Sequence, residues 1–137
     1  MRRIFKFERF AQRASRERIS DEDLVGVVGQ LDAGSYDAKI GTVFKVRLAR
    51  KGQGKSHGYR LYVVHQPESN VFFLTLLSKS DRSNLTKAEE DAVREVAKLY
   101  QKLDGAALAK AVGSGAIVEI PVRPSNPSSD TSSQGPT

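Results

Sequence analysis

From about residue 43 the period of the apolar side chains switches to two, the spacing of a strand with one buried face. Phe44, Val46 and Leu48 face one way while Lys45 and Arg47 face the other, as in a half-buried strand. A second run over roughly 59–65 sets Tyr59, Leu61 and Val63 against Arg60, Tyr62 and Val64. Gln66–Asn70 reads as a turn. Val71–Ser78 follows as a third strand, and its near-continuous apolar character predicts a central place in a sheet. Three such runs in succession predict an antiparallel meander. The first two are joined by Lys51-Gly-Gln-Gly-Lys-Ser-His-Gly58, a linker with three glycines, two lysines and no acid.

Helical spacing brackets the meander. After a short strand at Arg3–Phe5, residues Phe7, Phe10, Ala11 and Ala14 predict a helix over about 6–18. Ser20 is a good N-cap for a second helix, with Asp21, Glu22 and Asp23 in its first turn, Leu24, Val27, Val28 and Leu31 on its apolar face, and Gly34 to end it. Thr86-Lys-Ala-Glu89 is a capping box opening a helix over about 86–102, and a shorter helix near 104–112 precedes a small strand at 116–120. The expectation is one α+β domain over residues 1–120. Its N-terminal helices and a C-terminal helix pack on one face of a twisted antiparallel sheet, and the other face and the hairpin turn are left to carry charge. Residues 121–137 hold four of the five prolines and almost nothing apolar, so a flexible tail is expected there.

The charge is concentrated. Residues 44–82 carry eight Lys/Arg against two acids, so the whole formal excess of +6 lies in 39 residues. A single-sign cluster repels itself, which favours an anionic partner over a merely solvated face. Common hydrolytic constellations find no support. There is no cysteine, and the two histidines stand eight residues apart without a carboxylate pair, so no zinc site is expected. Gly54-Lys55-Ser56 matches only the end of a phosphate loop, and a strand follows it where a helix is required. The longest apolar run, residues 71–77, is too short to span a bilayer, and the N-terminus lacks the apolar stretch of a signal peptide. A soluble cytoplasmic protein without a membrane partner is expected.

Cations on a strand suit nucleic-acid phosphates, and Tyr59 and Tyr62 offer rings on which an unstacked base can rest or which simply pack in the sheet. Cleavage by the ribose 2′-hydroxyl needs a proton removed, charge on phosphate stabilised and the 5′-oxygen protonated. Arginine supplies the second, and a lysine crowded by other cations can supply proton transfer.

At this point the chain resembles a known family. Ile19-Ser-Asp-Glu-Asp-Leu24, Arg50-Lys-Gly-Gln-Gly-Lys-Ser-His-Gly-Tyr-Arg60, Phe72-Phe-Leu74 and Lys79-Ser-Asp-Arg-Ser-Asn84 occur in the order found in RelE-like toxins of type II toxin–antitoxin systems, specifically the HigB-like branch. The resemblance covers about residues 3–120. It implies a small RNase-like fold, messenger-RNA cleavage on translating ribosomes without a metal or other cofactor, and inhibition by a cognate antitoxin, expected to be of helix-turn-helix type. Carried over by motif, Arg60 is the phosphate clamp and Lys55 the proton-transfer group, while Lys79 and Arg82 stabilise the phosphorane or leaving oxygen. Arg47, Arg50 and Lys51 hold flanking phosphates or ribosomal RNA, with His57, Tyr59 and Tyr62 also at the RNA. Three positions depart from the family pattern. His57 replaces the first glycine of a Gly-Gly pair, as a new acid/base or a solvent-facing turn residue; Ser80 replaces asparagine; Thr75 replaces an aromatic residue. Three functions stay open on the sequence: a ribosome-dependent endoribonuclease, a non-catalytic poison of the same fold (gyrase-inhibitor type), and an RNA-binding module without cleavage.

Overall fold

The structure, a computed structural model, describes residues 2–50, 54–66, 69–78 and 84–121; of Arg50 and residues 54–57 it describes the backbone. The chain runs β1 (Ile4–Phe7), α1 (Glu8–Arg16), α2 (Asp21–Asp32), β2 (Ala38–Ile40), β3 (Val43–Arg50), β4 (Gly54–Val64), β5 (Val71–Ser78), α3 (Lys87–Gln101), α4 (Gly105–Ser114) and β6 (Ile117–Ile120). The predicted caps form. Ser20 accepts from the Asp23 amide while the Asp23 carboxylate accepts from the Ser20 amide, and Thr86 and Glu89 do the same at the start of α3. The fold is α+β, and the described residues form four helices and one six-stranded sheet.

The strand order is β2-β3-β4-β5-β1-β6. The meander β3-β4-β5 is antiparallel, as its sequence predicts, and Val71–Ser78 is central. The sheet is nevertheless mixed: β1 inserts beside β5 in parallel, with Phe5 opposite Phe72, and β6 closes the far edge antiparallel to β1. β2, an exposed three-residue edge strand, has no counterpart in the sequence reading.

The helices do not share one face. α1 and α2 bury Phe10, Ala14, Leu24, Val27, Val28 and Leu31 against Val46, Tyr59, Leu61, Val63, Phe73 and Leu76. α3 and α4 cover the reverse side, where Val93, Val96, Ala97, Tyr100 and Leu108 meet Phe5, Val43, Val64, Phe72 and Leu74. Both sides of β5 are therefore packed, which is why it reads as continuously apolar. An extra residue in β5 opposite Tyr62/Val63 bulges the sheet there. Among the described residues no helix is long and apolar enough to cross a membrane.

The β3–β4 connection is shorter than the sequence suggests. β4 begins at Gly54, so Lys55, Ser56, His57 and Gly58 belong to the strand. The pairing shifts between Leu48 and Arg50, and Gly58 lies at that irregularity. A β-carbon on Gly58 would lie 2.1 Å from the Leu48 carbonyl oxygen, so the close approach of the two backbones requires glycine.

Candidate functional site

The sheet face that α3 and α4 pack against also carries cations, of which Arg47 is exposed. Strand alternation puts Lys45, Arg47, Arg60, Tyr62, Thr75 and Leu77 on that face, and the register sorts them into two rows. Lys45, Tyr62 and Thr75 lie side by side across β3, β4 and β5; Arg47, Arg60 and Leu77 form the next row toward the hairpin. Two arginines directly opposite each other repel, a pairing that sheets ordinarily avoid.

The three cations differ in their surroundings. Arg47 is exposed, and its Nε donates to Asp37 Oδ2 at 2.6 Å just before β2. Lys45 is half-buried and its Nζ donates to Asn84 Oδ1. Arg60 is half-buried too, and among the described residues no acid pairs with it. It stands across from a second arginine, and the described residues supply it no counterion. An anion at Arg60 would relieve that repulsion, and a planar guanidinium can grip phosphate with two parallel N–H bonds.

The candidate residues named from sequence distribute unevenly. The sheet brings Arg47 and Arg60 together as direct neighbours. Arg50, Lys55 and His57 fall on β3 and β4 by backbone, at the hairpin end of the same ribbon. Lys51, Lys79 and Arg82, with Ser80, lie outside the described residues. Lys79 follows Ser78, which pairs with Tyr59, and Arg82 is two residues ahead of Asn84, which meets Lys45.

The two tyrosines are not surface platforms. Tyr62 is 2% exposed in the core under α3 and α4, and Tyr59 is 4% exposed in the core under α1 and α2, its Oη donating to Glu17 Oε1 at 2.9 Å. Burial takes both rings from the role of stacking on a base. Lys45 belongs to the cationic segment and strand face read from the sequence, but was not among the site residues expected there. Its position two residues before Arg47 on the same strand face was the available signal.

A second polar cluster stands at the opposite end of β4. His65 is 5% exposed, and its Nε2 lies 2.8 Å from Asp32 Oδ1 at the end of α2 and 3.2 Å from Arg2 Nη2. Arg2 also grips both Asp32 oxygens and donates to the carbonyls of Gln66 and Ser69. Partial burial pushes the Asp32 carboxyl up, but hydrogen bonds from Arg2 and His65 outweigh it and hold it below the ordinary carboxylate range. Every one of these partners is internal, so the cluster ties Arg2, near the N-terminus, to α2 and to the backbone at Gln66 and Ser69.

Fold and patch together define a class: a small α+β protein whose mixed sheet sets Lys45, Arg47 and Arg60 close together on one face. The model of the family described as RelE toxin of the RelE/RelB toxin–antitoxin system matches residues 2–120, nearly all of the chain and every element of the sheet. The protein belongs to this RelE toxin family. It is a toxin of a toxin–antitoxin system, and toxins of this family pair with an antitoxin. No curated protein matches the chain.

Proposed function

We propose that this toxin is an endoribonuclease of the HigB-like branch that cleaves messenger RNA on translating ribosomes, with the Lys45–Arg47–Arg60 face as its RNA-binding surface. The observation that carries this reading is Arg60: a half-buried arginine directly opposite Arg47, with no acid paired to it among the described residues. In the reaction the 2′-oxygen loses its proton and attacks the adjacent phosphorus. The bond from phosphorus to the 5′-oxygen breaks, leaving a 2′,3′-cyclic phosphate on one fragment and a protonated 5′-hydroxyl on the other. Arg60 clamps the phosphate whose charge grows in the transition state, where fixed donors contribute most. Lys55, on the same strand, serves in proton transfer, and Lys79 and Arg82 stabilise the phosphorane or leaving oxygen. Arg47, Arg50 and Lys51 hold neighbouring phosphates, and His57 stands at the same strand end. The cognate antitoxin, of helix-turn-helix type, inhibits by covering this face.

Primer extension on a message translated by ribosomes tests the reading. The wild-type protein should give discrete stops. Arg60→Ala should slow their appearance by about 10²–10³-fold, the usual effect of removing one transition-state donor, and Arg60→Lys should fall between. Arrest of translation without cut products would replace the nuclease with a non-nucleolytic poison of the same fold. Salt-sensitive RNA binding with neither cleavage nor arrest would leave a binding module.

A further inference from the structure

The candidate face leaves one strongly cationic element unused. α1 carries Arg9, Arg13 and Arg16 at helical spacing i, i+4, i+7, and Arg18 follows in the turn after it. Arg9, Arg16 and Arg18 are exposed, and among the described residues none has an acidic partner. Arg13 is tied down: its Nε donates to Glu17 Oε2 at 3.3 Å and its Nη2 to Ser78 Oγ at 3.3 Å. Ser78 is the last residue of β5 and pairs with Tyr59 of β4, so the stripe approaches the strand ends that border the Arg47–Arg60 row from the reverse face of the sheet. A groove of about 390 Å³ opens there, lined by Arg16, Arg18, Leu48, Ala49 and Tyr59, with Glu17 and Asp23. Both acids are engaged, Glu17 by Arg13 and Tyr59, and Asp23 by the Ser20 amide.

Two features of this stripe work against local stability. Like charges at i, i+4 on a nine-residue helix repel. Arg18 itself has φ +60, the single non-glycine residue with positive φ among the described residues. It occupies the position of a helix end where glycine is favoured: the Arg18 amide donates to the Ser15 carbonyl and the Ile19 amide to the Ala14 carbonyl. A favourable interaction with the helix dipole accounts for cations in the last turn of α1, but not for an arginine on a left-handed backbone. The guanidinium, not the turn, is what an arginine adds at that position.

We propose that Arg9, Arg16 and Arg18 form a second phosphate track for the same single-stranded RNA, continuing from the Arg60 face around the hairpin ends of β4 and β5 into the α1 groove. This inference rests on the RNA-binding reading above and extends the bound strand to the other side of the sheet.

The test is fluorescence anisotropy of the full chain on a fully 2′-O-methylated single-stranded RNA, which its own 2′-oxygens cannot cleave, across a potassium chloride series. Removing one cation that neutralises a phosphate should reduce the slope of log affinity against log salt by about 0.7. Arg18→Gly should therefore lower the slope by about 0.7 while leaving the melting midpoint unchanged or raised, because glycine suits the backbone there. Adding Arg9→Ala and Arg16→Ala should bring the reduction to about 2. A merely structural role for Arg18 would give an unchanged slope with a lowered midpoint. Slopes retained in both the single and the triple variant, while Arg60→Ala still lowers the slope, would overturn the track and leave the RNA-binding face standing. Salt-independent or absent binding by the wild-type protein would overturn that face, and the track with it.

Discussion

Gly58 and Arg60, two residues apart on β4, are fixed by different physics. Gly58 sits where the β3 backbone comes too close for any side chain, so Gly58→Ala should destabilise the protein by about 1–3 kcal/mol, the range of an overpacked core. Urea denaturation checks this, and a change under about 0.5 kcal/mol would show that the strands can separate there at little cost. From sequence this glycine is indistinguishable from its neighbours in a glycine-rich linker, because the carbonyl that excludes a side chain comes from another strand. Arg60 is different: its place on the strand face away from Tyr59 and Leu61 follows from alternation alone, while the register is what sets Arg47 directly across from it. Tyr62 follows the same alternation, yet its burial depends on α3, packed there from some thirty residues further along, and period two says nothing of that.

At the scale of elements, the strongly patterned segments were legible and the long-range pairings were not. β5, α2 and α3 are predicted within a residue or two, because caps and apolar spacing are local signals. β2 carries three exposed or half-exposed residues and forms only because β3 offers an edge. The parallel seat of β1 beside β5 has no local signature either. The cluster of Arg2, Asp32 and His65 belongs to the same category, joining residues from the N-terminus, α2 and the end of β4. It has a consequence for acid stability. The Asp32 carboxyl is held below its ordinary value of 3.8, so it contributes stability that is fully present above that value and fades as pH falls through the lower, folded-state value. Asp32→Asn should therefore lower stability at pH 7, and the gap between variant and wild type should narrow below about pH 4. Urea midpoints at pH 7 and pH 3 measure it; an equal gap at both would mean that Asp32 acts through packing and not through charge.

For the molecule as a whole, the sheet is a wall between two cores, each completed by its own pair of helices. Sequence patterning supplied the α+β class and the apolar faces of the helices. Which helix covers which side is decided by chain crossings that leave no periodic trace, so the two-sided arrangement was not legible. β6 closes the sheet at Ile120, and the family match ends at the same residue. A chain truncated after Pro121 should accordingly unfold within about 0.5 kcal/mol of the full-length protein, the scale of changes away from structural features. A larger loss in thermal or urea unfolding would give residues 122–137 a part in the fold.

The sheet order also dictates when a newly made chain can be finished. β1 lies between β5 and β6, and Arg3 bonds Glu119 across 116 residues of sequence. Synthesis runs from the N-terminus, so the first strand emerges tens of residues before either neighbour exists. β3 and β4 can pair as soon as they are made, but the N-terminal segment must wait for β5 and then for the last strand of the fold. A toxin built this way completes its sheet only after residues 117–120 have been made, so a chain cut short before them lacks the edge strand that covers β1.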